Sequence, residues 1–185
     1  MSLKYDYGDL QQVSCVGSGT KKPASMRILF ICTHNRCRSV LAEAIANHYC
    51  KGLITAASAG SHPAGKIHPL TLQTLKEMGI PVRRLRSKSW DDVEDFDPDC
   101  VITVCDSASR EQCPAWFGMA MRAHWNLQDP SDTPDAADRQ AEAFRETAGI
   151  IRDRVQVLCR LLKTDPDRTA ILDALKAMDV AGQPA

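Results

Sequence analysis

The segment RILFICTHNRCRSVLAEAIA, residues 27–46, holds the residue types from which covalent chemistry on an anion can be built. Cys32 closes an apolar run; six residues later comes Arg38, followed at once by Ser39 and a helical pattern. A loop that winds into a helix N-terminus turns several backbone N–H groups to one side, a nest suited to an anion. Arg38 adds a planar fork able to grip two oxygens of a tetrahedral oxyanion. The same donors, with the helix dipole, are expected to stabilise a thiolate at Cys32 and make it a nucleophile near neutral pH. Ser39 can donate a hydrogen bond to that sulfur, and Asn35 can brace the loop through its side-chain amide. Thr33, His34, Arg36 and Cys37 complete the candidate anion-binding loop.

Such a loop needs elements to hold it. MRILFIC (Met26–Cys32) is short, apolar and β-branched, the pattern of a buried strand. From Ser39 to about Lys51, helical spacing puts Leu41, Ala44, Ile45 and Tyr49 on one face. ITAASAG (Ile54–Gly60) reads as a second strand, and HPLTLQTLKEMGI as a second helix stopped by Gly79. CVITVC (Cys100–Cys105) and MAMRAHWN (Met119–Asn126) supply strands three and four. A long amphipathic stripe then runs from Ala137 to Leu162, and Asp165-Pro166 reads as the opening of a short helix around Ile171, Leu172 and Leu175.

Strands alternating with helices predict an α/β fold: an open four-stranded parallel sheet with helices on both faces. Ligands of such sheets sit beyond the carboxyl ends of the strands. Cys32, Cys105 and Asp129 all fall there. The expected organisation is a loose N-terminal extension over residues 1–25, a catalytic domain over 26–163, and a short helix and tail over 164–185.

Composition narrows the partners. The chain has 185 residues and a formal net charge of +0, with apolar and charged fractions of an ordinary globule. Residues 1–90 hold 13 Lys/Arg against 4 Asp/Glu, and residues 91–185 hold 10 against 19. The halves are expected to fold together with their charges intermixed, leaving a basic environment for a small oxyanion. No long basic stripe marks a nucleic-acid partner, and no apolar run is long enough for a membrane. With no apolar signal segment at the start, the expected location is cytoplasmic. Eight cysteines are many for that location, but a disulfide scaffold belongs in an oxidising compartment to which no signal leads, and there is no CxxC pair to suggest a zinc site. His34, His48, His62, His68 and His124 lack ligand spacing and read as structural or solvated; no metal and no bound cofactor are expected.

CTHNRCRS resembles the active-site loop of the low-molecular-weight tyrosine phosphatase family, C-x5-R-S with asparagine fourth. SAG after strand two and the Asp129-Pro130 pair after strand four also fit that family. The resemblance implies that Cys32 attacks a tetrahedral oxyanion held by Arg38 and that Asp129 protonates the departing oxygen. Two chemistries share that step. A phosphatase hydrolyses its phosphocysteine with water; an arsenate reductase of this fold uses further thiols to release arsenite and leave a disulfide. VITVCDSASREQCPAW places Cys105 and Cys113 where such reductases carry their redox pair, and Ser131 stands where the phosphatases usually have an aromatic residue. The resemblance therefore implies reduction of arsenate, with thioredoxin, or glutaredoxin with glutathione, as external reductant. A phosphatase acting on phosphotyrosine is the alternative. Cys37 is expected mainly to pack, with a protective disulfide to Cys32 as its other possible use. Some members hold potassium beneath the loop; here Glu43 and Ser58 fall at two ligand positions and Lys88 at an acidic one, so an ammonium is expected in place of the ion.

Overall fold

The structure is a computed structural model that describes residues 25–105, 107–108, 114–132 and 137–180. The apolar runs form strands β1 (Met26–Ile31), β2 (Ile54–Ala59), β3 (Cys100–Thr103) and β4 (Met121–His124). They pair in the order β2-β1-β3-β4, and every pairing is parallel. Ile28, Leu29, Phe30 and Ile31 of β1 are all buried although their side chains alternate, so both faces of the sheet are covered. This is the predicted architecture. Ile31 pairs with Ala59 and with Thr103, and Thr103 with His124. The four strands thus end level, and the segments that follow them leave from one rim.

The helices are α1 (Arg38–Tyr49), α2 (Pro69–Glu77), α3 (Ala137–Leu162) and α4 (Arg168–Val180). α3 presents Phe144, Ala148, Ile151, Val155 and Leu158 to the core in the four-and-three spacing read from the sequence. Trp125, just after β4, is fully buried with its ring centroid 5.7 Å from that of Phe30. Leu175 and Met178 of α4 are buried, and Asp179 accepts a hydrogen bond from Asn126 N at 2.7 Å, which ties this helix to the end of β4. The charge-rich halves interlock through Arg27–Asp97, Arg38–Asp129 and Arg145–Glu77. No described helix is long and apolar enough to cross a membrane.

Three local readings are corrected. Tyr49 is 37% exposed, so the apolar face read for α1 does not carry this last residue into the core. β4 starts at Met121, not Met119: a 3-10 turn at Ala115–Phe117 and Gly118 at φ 51° delay extended backbone. The cap of α4 is Asp167, whose carboxylate accepts Ala170 N at 2.8 Å, whereas Asp165 sits at φ 51° outside the helix. An acidic 3-10 segment, Asp91–Phe96, precedes β3. Replacing fully buried Ile151 by alanine should cost roughly 2–4 kcal/mol, measured by urea unfolding; a loss under 0.5 kcal/mol would contradict this placement.

Candidate active site

The loop from Cys32 to Cys37 is held from outside. His62 N donates to Thr33 O at 2.9 Å, Ala64 N to His34 O at 2.9 Å, and His68 N to Arg36 O at 3.1 Å. Thr71 Oγ1 also donates to Arg36 O at 3.0 Å, and Ser87 Oγ to His34 O at 3.3 Å. In a trans peptide the C=O and N–H edges point oppositely, so carbonyls held outward leave the N–H edges for the concave side. The start of α1 strengthens that face. Cys37 stands at its N-cap with no side-chain capping bond, and the first turn contains no acid. The first-turn amides and the positive end of the dipole are left for an outside anion. Gly60, at the end of SAG, passes so close that a Cβ there would lie 2.5 Å from Thr33 O and 2.8 Å from Cys32 O.

Behind the loop lies a buried polar brace. Asn35, at φ 41° and fully buried, donates from Nδ2 to Ser39 Oγ at 2.8 Å and to Ser58 Oγ at 2.9 Å. Its Oδ1 accepts Lys88 N at 2.8 Å. Ser58 Oγ donates in turn to Glu43 at 2.5 Å, and the Lys88 ammonium meets the same carboxylate at 3.1 Å. Ser39 Oγ lies 2.9 Å from Cys32 Sγ. Because that oxygen already accepts from Asn35, its own proton is free to face the sulfur.

In front of the loop is a cavity of about 620 Å³. Cys32, Thr33, His34, Arg36, Cys37 and Arg38 form one side of it; Cys105, Asn126, Leu127, Asp129 and Ser131 contribute from the other strand ends. Cys32 is 4% exposed, a sulfur at the floor of an open cup. Arg38 donates to Leu127 O at 2.8 Å and pairs with Asp129 at 2.5 Å, while its buried Nε has no hydrogen-bond partner among the described residues. Arg36 Nη2 donates to Ser131 Oγ at 3.0 Å, and Ser131 donates to Asp129 through both Oγ at 2.7 Å and N at 3.0 Å. Cys105 Sγ lies 3.7 Å from Thr33 Oγ1 and accepts Ala108 N at 3.4 Å.

Electrostatics follow from these neighbours. Burial raises the Cys32 thiol above its ordinary value; the Ser39 hydroxyl, the Ser39 amide and Arg38 pull it down, and Cys105 adds to the rise. The expected simple depression is therefore corrected: desolvation is the largest influence on this sulfur. Burial, with nearby Asp129, likewise pushes Cys37 up to about 11. For Asp129 burial acts upward, but Ser131, Arg38 and Arg36 outweigh it and hold the carboxyl below its ordinary range.

Every described site residue read from the sequence lies at this rim. Asn35 and Ser39 stand behind the cup, and Cys113 lies outside the described residues. His34 is exposed and donates from Nδ1 to His62 O at 3.2 Å, a loop contact. His68 caps α2 through Leu70 N and stacks on Phe144. The sequence reading missed Leu127, whose contribution is a backbone carbonyl, and the pairing of Arg36 with Ser131. A second basic residue inside the loop was the available signal for Arg36. Among the described residues no group of three or more His, Cys, Asp or Glu is placed to hold a metal ion.

Fold and site together define a class, and comparison with known proteins agrees with it. The chain belongs to the low molecular weight phosphotyrosine protein phosphatase family, which it matches over residues 27–168. It is 30% identical over 135 residues to the glutaredoxin arsenate reductase of Synechocystis sp., covering 71% of this chain and 95% of that protein. The thioredoxin-dependent arsenate reductase of Corynebacterium glutamicum superposes with TM-score 0.59 and 28% identity, over 78% of this chain and 65% of its own. A structure of an arsenate reductase in the phosphate binding state superposes with TM-score 0.62 and 27% identity, over 74% of this chain and 98% of its own.

Gly60→Ala should displace Thr33 and weaken phosphate binding by more than tenfold in calorimetry while the fold survives; unchanged affinity would contradict the loop's confinement. Ser39→Ala removes the first-named influence that opposes burial at Cys32, so the thiol should titrate higher still. Alkylation of Cys32 by iodoacetamide at pH 8 should slow severalfold relative to the unmodified chain, and an unchanged rate would contradict the contact.

Proposed function

We propose that this chain is a cytoplasmic, thiol-dependent arsenate reductase. The observation that carries the reading is the second sulfur at the cup: Cys105 lines the same cavity as Cys32, beside Thr33. A hydrolytic phosphatase has no use for a second thiol there. A reductase that delivers the electron pair from its own chain needs one within reach of Cys32. Ser131 supports the same substrate class, since its hydroxyl ties Asp129 to Arg36 and offers no aromatic platform.

Arsenate enters as an anion and competes with Asp129 for Arg38, whose unpartnered Nε is one ready donor. The Cys32 proton passes to an arsenate oxygen as Ser39 and the loop amides stabilise the developing thiolate. The sulfur attacks arsenic, an As–S bond forms, and one oxygen departs as water. Asp129 supplies the proton for that departure. With Arg38 diverted to an anion, its carboxylate loses a positive partner and gains a negative neighbour, and both changes raise its proton affinity. Cys105 then attacks Cys32 sulfur: an S–S bond forms, the S–As pair moves onto arsenic, and arsenite leaves with the proton given up by Cys105. Cys113 exchanges into that disulfide to give Cys105–Cys113, which an external dithiol of the thioredoxin or glutaredoxin type, or glutathione, reduces. Reducing compartments supply such thiols, which is the basis for a cytoplasmic location.

No metal is required in this scheme. The Lys88 ammonium lies against Glu43 and Ser58 beside it, so a cationic charge is already built in where a bound ion would serve.

The second reading is a phosphatase, favoured by the fact that Cys32, Arg38 and Asp129 alone suffice to form and release a phosphocysteine. Cys105→Ser decides between them. It should lower arsenate reduction at least a hundredfold and leave slow hydrolysis of p-nitrophenyl phosphate intact. Full arsenate turnover in that variant would overturn the reductase reading.

A further inference from the structure

A second pair of sulfurs lies at the other end of α1. Cys50 closes that helix, twelve residues or about 18 Å of helix from Arg38, and Cys159 lies on α3 one turn beyond Val155. The two helices pack so that Cys50 Sγ donates to Val155 O at 3.5 Å and Cys159 Sγ donates to Tyr49 O at 3.7 Å. Each thiol thus reaches the backbone next to the other cysteine's turn, and both are free. Cys50 is 1% exposed and Cys159 9%, beneath exposed Tyr49 and Arg160. Neither lines the anion cup, and the reduction scheme uses neither.

The surroundings select what such a pair can hold. A divalent cation needs deprotonated sulfurs and further ligands. Burial, and then the neighbouring Cys159, push the Cys50 thiol upward, which opposes a thiolate pair. No third His, Cys, Asp or Glu is placed to complete a metal site among the described residues. Arsenous acid makes neither demand: it is neutral, binds sulfur tightly, and keeps a hydroxyl as its third ligand.

We propose that Cys50 and Cys159 form a binding site for trivalent arsenic, separate from the anion cup. Two As–S bonds form and two As–O bonds break. Each thiol proton leaves with a hydroxyl as water, arsenic stays trivalent, and no electrons are transferred. The choice of ligand rests on the proposed reduction, which releases arsenite; the binding itself requires no turnover. Occupation joins the end of α1 to α3 and places a product-responsive link at the opposite end of the helix that carries Arg38.

The test uses arsenite alone. In a full-length variant with Cys32, Cys37, Cys105 and Cys113 changed to serine, native mass spectrometry after desalting should find one arsenic retained per chain. Adding Cys50→Ala or Cys159→Ala should abolish retention while circular dichroism stays unchanged. No retained arsenic in the four-serine variant, or retention that survives Cys159→Ala, overturns the site. If that variant fails to fold, the unmodified chain decides the matter by peptide mapping. Arsenite should slow maleimide labelling of Cys50 and Cys159 at least tenfold, and unchanged labelling overturns the site. Loss of arsenate turnover with arsenite binding intact would instead locate the failure in the reductase reading.

Discussion

The three hydrogen bonds of the Asn35 amide hold the rest of the site in place. Its backbone sits at φ 41°, a left-handed conformation costing about 1–2 kcal/mol for a residue with a Cβ. Each buried hydrogen bond returns roughly 1 kcal/mol, so the two to Ser39 and Ser58 and the one from Lys88 N exceed that cost. Asparagine suits the place because it tolerates this backbone and offers both donors and an acceptor. The same contacts orient the Ser39 hydroxyl toward Cys32 and pass through Ser58 to Glu43 and Lys88. Loop shape, sulfur environment and buried charge are one network.

In front of that network the charges are poised against one another. Arg38, Arg36 and Asp129 form a closed group through Ser131, and an incoming anion must displace part of it. In the proposed cycle the cup would exchange an internal carboxylate for an external oxyanion and keep Arg38 paired. Burial pushes the Cys32 thiol upward against the pull of Ser39 and Arg38, so its proton is held more firmly than that of a free thiol. That sulfur is nearly buried and still lines the cavity that an anion would enter.

Much of this was readable from residue order. Alternating periods gave the strand and helix sequence, and CTHNRCRS placed the cysteine, the arginine and the bracing asparagine. Gly118 and the Asp167 cap shifted two boundaries by two residues each, because a positive-φ glycine and a competing aspartate are local choices that periodicity does not resolve. Long-range partners were beyond reach for a different reason. Leu127 contributes only a carbonyl to Arg38, 89 residues distant, and backbone groups carry no residue identity. Cys50 and Cys159 are far apart in the chain, and only the α1–α3 packing brings them near one another. The direction of the Cys32 shift was misjudged because loop amides are visible in a motif and desolvation is not.

The central claim is that a sulfur pair at one cup carries both bond formation to arsenic and the two-electron transfer. A single turnover with stoichiometric arsenate and no external thiol, quenched in acid and mapped by mass spectrometry, examines it directly. The account predicts one arsenite released per chain and one new disulfide that includes Cys105. Arsenate recovered unreduced, or arsenite released with Cys105 still a thiol, would contradict it.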